Sequence, residues 1–224
     1  MIHLSTLDFL NGLAANNTKD WFESNRPAYE AARQNIIDLA ATLIDGISLF
    51  DGAVATNAPE PKKCISRIHR DVRFSKNKSP YKTNFFILIR HNAAKKEDGT
   101  GYYVQIQPGD VSFCGCGVYM PMPPDLHRLR TVIETDYDVW REIVEAKPFR
   151  KQFPDGVRAF DALRNVPRGF DRDSPAADYL KMKGYHTEIP LADRTLQSAS
   201  LSKSILDGFR TGYPMLAFLQ RAMG

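Results

Sequence analysis

The 224-residue sequence has few cysteines and no long hydrophobic run. Its longest apolar runs, Phe85 to Ile89 and Met215 to Leu219, are much shorter than the roughly 20 residues that cross a bilayer, so we expect no membrane partner. The first residues, MIHLSTLDFL, lack a basic region ahead of a long apolar stretch and predict a helix instead of a signal peptide. Three cysteines are too few and odd in number for a disulfide framework, which favours reduced thiols and a cytoplasmic location.

The signatures of several enzyme classes are also missing. The sequence has no Walker A motif, no GxGxxG turn between a strand and a helix, no HExxH and no GxSxG. Cys114 and Cys116 would share one strand face, but a structural zinc site needs four ligands and Cys64 is distant in sequence, so we predict no metal. The sequence therefore indicates no reaction and no cofactor, and it leaves open whether the protein is an enzyme.

What the sequence does contain is a concentration of positive charge. Between Lys62 and Lys96 lie eleven Lys or Arg residues and one acid, Asp71, which is a net charge of +10. The remaining residues hold 19 basic and 25 acidic side chains, a net charge of −6. This asymmetry indicates an anionic partner, because a basic stretch on an otherwise mildly acidic protein attracts negative charge.

Hydrophobic periodicity predicts an α+β fold in one domain spanning residues 1–224. Apolar residues at helical spacing predict helices up to about Phe50, and Asp51 to Pro61 has the composition of a loop. Four strands are predicted after it: Ile65 to Phe74, Asn84 to His91, Tyr102 to Gln107 and Val111 to Tyr119. We therefore expect a mainly antiparallel sheet of about four or more strands within residues 64–119, flanked by N-terminal and C-terminal helices.

The segment RIHRDVRFSKNKSPYKTN, from Arg67 to Asn84, is the densest in charged and polar groups. Its arginines must be exposed, paired or bound to an anion, because burying unpaired charge is costly and only Asp71 lies close by in sequence. The hydroxyls, ammonium groups and backbone amides that follow suit a phosphate or a carboxylate. The predicted ligand-binding residues are Arg67, Arg70, Arg73, Ser75, Lys78, Tyr81 and Lys82, with Arg168 of the later PRGFD turn as a further candidate.

Three functions are compatible with this segment. The leading hypothesis is a protein that binds a phosphorylated or carboxylated small molecule, with His69 and Asp71 as the candidates for proton transfer if chemistry occurs there. The second is a nucleic-acid-binding module that uses the basic strand and stacks bases on Tyr102 and Tyr103. The third is a structural or interaction protein in which an Arg–Asp network only specifies the fold.

Several separated motifs resemble a known family. RIHRDVRFSKNKSPYKTN, GYYVQIQPG, GVYMP, NNTKDWFESNRPAYE and PRGFD look like the family catalogued as domain of unknown function 2461, found in bacteria and fungi. The resemblance covers about Phe9 to Tyr185. It implies that Asn17, Arg70, Tyr81, Lys82 and Gly117 belong to the family's recurring pattern, together with other residues of these motifs, and it implies no activity, cofactor or catalytic residue.

Overall fold

The structure of the protein is a computed structural model that describes residues 1–90 and 100–223. The helices are α1 (Leu4–Ala15), α2 (Lys19–Ser24), α3 (Arg26–Ser48), α4 (Gly52–Asn57), α5 (Pro123–Thr135), α6 (Tyr137–Val144), α7 (Lys147–Gln152), α8 (Ala177–Lys181), α9 (Asp193–Leu196) and α10 (Leu201–Met223), with a short 3-10 helix at Pro61–Lys63. The strands are β1 (Phe85–Arg90), β2 (Thr100–Ile106), β3 (Ser112–Val118), β4 (Tyr185–His186) and β5 (Ile189–Leu191). His91, predicted to end a strand, and Lys95 and Lys96 of the basic stretch lie outside the described residues.

The strands form one five-stranded sheet in the order β1-β2-β3-β4, and β5 also pairs with β3. Strands β3 and β4 are antiparallel, with Gly117 opposite His186. The predicted α+β fold, an antiparallel sheet with helices before and after it, is confirmed. Strands β4 and β5 lie outside the predicted range of 64–119, because strands of two and three residues are too short to show a period of two.

The predicted strand from Ile65 to Phe74 is not a regular strand. Two isolated antiparallel bridges replace it, one between Ile65 and Ile87 and one between His69 and Tyr81. Between the bridges one side of the ladder advances by four residues and the other by six, so two extra residues bulge out on the second side. The prediction was wrong here because alternating residue types do not reveal a bulge on the opposite strand.

The predicted loop from Asp51 to Pro61 contains helix α4. The Asp51 side chain caps this helix by accepting hydrogen bonds from the backbone N–H groups of Ala53 and Val54, at 3.0 and 3.3 Å. Val54 is fully buried and fixes the helix against its surroundings. An N-terminal cap and one buried valine therefore outweigh the glycine and proline content from which the loop was predicted.

The chain divides into two compact units. The first contains Met1–Ile89, Tyr103–Cys114 and Pro190–Leu206, and the second contains Arg90–Tyr102, Gly115–Ile189 and Asp207–Gly224. The organisation as one domain stays a prediction. In the second unit the fully buried Trp140 contacts the rings of Tyr185 and Phe218, with centroids 6.0 and 5.3 Å away. None of the helices among the described residues has the length and hydropathy to span a membrane.

An aromatic cluster forms much of the core of the first unit, in which α1 packs against α3. Phe22 lies at its centre and contacts Phe9, Tyr29 and Tyr81, with ring centroids 6.4, 5.0 and 4.1 Å away. Its ring is nearly parallel to that of Tyr81, at an angle of 14°. The cluster therefore attaches Tyr81 to the N-terminal helices. Tyr81 lies near the end of the segment from Arg67 to Asn84, which we call the basic segment.

The Asn17 side chain also holds Tyr81 in place, through two hydrogen bonds to its backbone. Its side-chain oxygen accepts from the backbone N–H of Tyr81, and its side-chain amide donates to the Tyr81 carbonyl oxygen, both at 3.0 Å. The next residue, Thr18, caps α2 by accepting a hydrogen bond from the Trp21 N–H. The Asn17 amide thus acts like one more residue of a β-ladder, 64 residues away in sequence.

We expect Asn17→Ala to lower the free energy of unfolding by about 1 to 2 kcal/mol, since it leaves two partly buried backbone groups without partners. The neighbouring Asn16→Ala removes one exposed hydrogen bond to Gly12 and is expected to cost less than about 0.5 kcal/mol. Urea denaturation of the two variants measures the difference, and equal losses would show that Asn17 does not anchor Tyr81.

Gly117 has a φ of +143°, and a Cβ atom at this position would collide with the carbonyl oxygen of Tyr185 on β4. We expect Gly117→Ala to destabilise the protein by about 3 kcal/mol or more, because both the backbone conformation and the strand pairing oppose a side chain. Gly109 also has a positive φ, +94°, but has open space around it. Gly109→Ala is therefore the control, with an expected cost of about 1 to 2 kcal/mol in the same denaturation experiment.

Candidate functional site

A polar cleft of about 350 Å³ lies beside the bulge in the first unit. Its lining residues are Ala14, Asn17, Arg70, Asn77, Ser79, Tyr81, Lys82, Thr83 and Asn84. Arg70 and Lys82 are the charged members of this lining, and no carboxylate belongs to it. We call this site the polar cleft.

The bulge explains why three consecutive residues line the cleft. Lys82, Thr83 and Asn84 lie on the side of the ladder that holds the two extra residues. The Lys82 N–H donates to the Ile68 carbonyl oxygen at 2.8 Å, and the regular ladder resumes only where the Ser66 N–H donates to Phe86. Side chains alternate between two faces along a regular strand, whereas at the bulge all three of these residues line the same cleft.

Lys82 is half-buried, and this burial lowers the pKa of its ammonium group. Its Nζ donates a hydrogen bond to the hydroxyl oxygen of Ser66 at 3.3 Å. Over residues 1–90 and 100–223, no carboxylate forms an ion pair with it. The positive charge of Lys82 is therefore partly shielded from water, and no acid among the described residues pairs with it.

Arg70 contributes the second positive charge. Its Nη2 donates to the Ser75 hydroxyl at 3.4 Å, which is long for a hydrogen bond, and its backbone N–H donates to Pro80 at 2.9 Å. The described part of the chain holds no ion pair of Arg70. A guanidinium group has five N–H donors in a planar arrangement, so most of those of Arg70 are available to a ligand.

Arg73 and Asp71 pair with each other outside the cleft. The Arg73 side chain donates two short hydrogen bonds to the Asp71 carboxylate, at 3.0 and 2.7 Å, and both residues are exposed. These bonds lower the pKa of the Asp71 carboxyl, so it stays ionised near neutral pH. The one acid of the basic segment is thus engaged by Arg73 and does not neutralise Arg70 or Lys82.

The structure brings together only part of the predicted set. Arg70, Tyr81 and Lys82 line the cleft, and Ser75 contacts Arg70. Besides Ser75, the predicted residues of this segment that do not line the cleft are Arg67, Arg73 and Lys78, as well as His69 and Asp71, the candidates for proton transfer. Arg168 belongs to the second unit, where it precedes Gly169 in a turn with a φ of +94° at the glycine.

Sequence reasoning missed four uncharged polar residues of the lining, namely Asn17, Asn77, Thr83 and Asn84, while Ser79 belongs to the hydroxyl-bearing loop that it considered suited to an anion. The sequence did contain a signal for Asn77, because NKSP favours an Asx turn. In the structure the Asn77 side chain forms this turn by accepting a hydrogen bond from the Ser79 N–H at 2.9 Å. Asn17 gave no such signal, because its contact with Tyr81 spans 64 residues.

The two tyrosines proposed as stacking surfaces do not offer their rings to a ligand. Tyr102 is fully buried and Tyr103 is 8% exposed, stacked on Phe86 at 6.1 Å. Phe74 is instead 96% exposed, at the tip of the basic segment, with the Arg73 guanidinium 5.8 Å from its ring centre. An exposed aromatic surface therefore exists in this segment, but at a residue that the sequence reasoning did not choose.

The cysteines and histidines form no metal site in the described residues, which contain no cluster of three or more His, Cys, Asp or Glu able to hold an ion. All three cysteines are buried, and none of them forms a disulfide bond. Burial raises the pKa of the Cys116 thiol to about 12, against the smaller opposing effect of its hydrogen bond to Thr187. This thiol is therefore protonated and unreactive at neutral pH.

Comparison with known proteins gives one match, which is to a family. Neither the curated proteins nor the solved structures matched this sequence. Residues 5–218 match the family described as "Conserved hypothetical protein (DUF2461)". The matched range includes every residue of the polar cleft and most of both compact units. The resemblance inferred from the separated motifs is thereby confirmed, and the chain belongs to the DUF2461 family.

Proposed function

We propose that the protein binds a phosphorylated or carboxylated small molecule in the polar cleft. The observation that carries this proposal is the composition of the cleft, in which two cations and five uncharged polar side chains occur without a carboxylate. Two like charges in one partly desolvated cleft repel each other, and an anion relieves this repulsion. A structural role would instead favour an acid in the cleft, as Asp71 is placed beside Arg73.

The donors of the cleft suit a group with several negative oxygens. The Arg70 guanidinium can bind two oxygens at once, and Lys82 adds a positive charge on a flexible chain. Ser79 and Thr83 offer hydroxyl groups on the same surface. A volume of about 350 Å³ is near the lower end of the range for small-molecule pockets, about 300 to 1,000 Å³, and favours a compact ligand.

The proposal is limited to binding, because neither His69 nor Asp71 lines the cleft. A proton donor or acceptor must reach the reacting group within hydrogen-bond distance, directly or through one water. We place the protein in the cytoplasm, a proposal supported by the three cysteine thiols, which form no disulfide, because thiols remain reduced there.

We expect Arg70→Ala to weaken the binding of inorganic phosphate about tenfold or more, since it removes charge-assisted hydrogen bonds. Arg73→Ala is the matched control: it removes the same side chain from the same segment, but at a position paired with Asp71 outside the cleft. Its affinity should stay within about twofold of the unchanged protein. Isothermal titration with phosphate, then with phosphorylated sugars and organic acids, measures both.

Equal affinities in all three proteins would contradict the proposal and place any anion site elsewhere. The third hypothesis, in which the Arg–Asp network only specifies the fold, predicts a different result. Under it Arg73→Ala would lower the free energy of unfolding. We expect no such loss, because Arg73 and Asp71 are exposed and only two residues apart.

Nucleic-acid binding is the second candidate function, and the exposure of Phe74 is the observation that favours it. Single-stranded nucleic acids are bound by exposed aromatic side chains next to cations that contact the phosphates. Phe74 is flanked by Arg73 and followed by Lys76 and Lys78, all of them exposed. This surface lies on the outside of the basic segment and does not line the cleft.

The dependence on salt separates the two functions. We expect the unchanged protein to bind phosphate one to one, and to bind a single-stranded oligonucleotide no more tightly than phosphate. If the nucleic-acid function holds, the affinity for the oligonucleotide will fall steeply with salt, and Phe74→Ala will weaken it about tenfold through lost stacking. Phe160→Ala, which removes another exposed phenylalanine, is the control in a fluorescence-anisotropy titration.

A further inference from the structure

Lys82 differs from the exposed lysines of the same region. Lys62 and Lys63 form ion pairs with Glu60 at 2.6 and 2.8 Å, and Lys78 is exposed and donates to the Val72 carbonyl oxygen at 3.0 Å. Lys82 is half-buried and lines the cleft, and its Nζ donates to the neutral Ser66 hydroxyl. An amine with little access to water and no acid beside it loses its proton more easily than an exposed one.

The position of Lys82 gives this amine a second property. Arg70 lines the same cleft and offers most of its N–H donors to an anion. A small molecule held there by a phosphate or carboxylate has the rest of its structure within a cleft of about 350 Å³ that Lys82 also lines. A reacting group that is bound next to a nucleophile reacts as if present at high local concentration.

We propose that Lys82 forms a reversible imine with an aldehyde or ketone whose phosphate or carboxylate is held by Arg70. The inference rests on the proposed function, because the anion site supplies the anchor. It adds the substrate class, an anionic carbonyl compound, and a covalent role for the Lys82 amine.

The step involves no net oxidation or reduction and needs no co-reactant. The lone pair of the neutral Lys82 Nζ attacks the carbonyl carbon, and the electron pair of the C–O π bond moves to oxygen. A proton passes from nitrogen to oxygen and gives a carbinolamine. The nitrogen lone pair then forms the C=N bond as the hydroxyl group, on taking up a proton, leaves as water. Loss of the N–H proton balances that proton, so carbonyl compound and amine yield imine and water.

The surroundings of Lys82 support this step. The hydrogen bond from Nζ to Ser66 fixes the end of a side chain that would otherwise be flexible. Burial lowers the pKa of the ammonium group, so the neutral amine is more abundant at neutral pH than in the exposed lysines. In Lys63 the hydrogen bond to Glu60 raises the pKa and has the opposite effect.

The test is reductive labelling of the full chain with pyridoxal 5′-phosphate, an aldehyde that carries a phosphate. Cyanoborohydride traps the imine, and peptide mass spectrometry measures the rate at each lysine. We expect Lys82 to be modified at least about tenfold faster than Lys62, Lys63 and Lys78, because the anion site holds the aldehyde at the cleft that Lys82 lines and burial lowers the pKa of its ammonium group. Its labelling rate should also reach its plateau at a lower pH than that of Lys63, because the hydrogen bond to Glu60 raises the pKa of Lys63.

Two further measurements test the anchor. Inorganic phosphate should protect Lys82 in the unchanged protein, which requires no variant. Arg70→Ala should slow labelling of Lys82 by pyridoxal 5′-phosphate about tenfold, while its labelling by pyridoxal, which lacks the phosphate, should not change. Lys82→Arg should remove the label from this peptide and confirm the assignment, with circular dichroism showing that both variants are folded.

The outcomes separate the inference from the proposed function. Labelling of Lys82 at the rate of Lys62 and Lys78 would overturn the inference, and phosphate binding in the titration would show that the proposed function still stands. Fast labelling that is independent of phosphate and of Arg70 would also overturn it, because the anionic anchor would then be absent. No phosphate binding in the titration would overturn the proposed function itself.

Discussion

The contact of Tyr81 with the N-terminal helices is the constraint on which the cleft depends. The ring stacks on Phe22 at 4.1 Å, and the backbone N–H and carbonyl pair with the Asn17 amide. Aromatic packing fixes the position of the residue, and the two hydrogen bonds fix the direction of the chain through it. Lys82 follows directly in sequence, so the same contact sets where its side chain begins and holds one wall of the cleft.

Four charges of the basic segment form two pairs with different environments. Arg73 and Asp71 neutralise each other on the exposed loop, where water already stabilises both of them. Arg70 and Lys82 line the cleft, where both are partly buried and no acid in the described part of the chain pairs with them. The net charge of +10 between Lys62 and Lys96 therefore does not by itself locate a binding site. The placement of the single acid away from the cleft is what leaves two cations to act on a ligand.

The sequence predicted the parts of this arrangement that depend on local pattern. Apolar spacing predicts the long N-terminal helices and the strands at Phe85–Arg90 and Ser112–Val118, and charge density indicates the segment that contains Arg70 and Lys82 without separating them from its other cations. What it could not predict depends on distant pairing. The Asn17 contact spans 64 residues, and the bulge exists only in relation to the partner segment. Strands β4 and β5 are held by pairing with β3 and are too short to show a pattern of their own.

The bulge connects the misread strand with the cleft. A regular ladder from Ile65 to Phe74 would have paired more backbone groups than the two isolated bridges do. It would also have turned Lys82 and Thr83 to opposite faces, because side chains alternate along a strand. Because of the two extra residues, fewer backbone groups pair, and Lys82 and Thr83 line the same surface. Bulges often occur next to functional sites, where they bring together side chains that a regular strand would place on opposite faces. The bulge therefore explains both why the strand prediction was wrong and why these residues form a cleft.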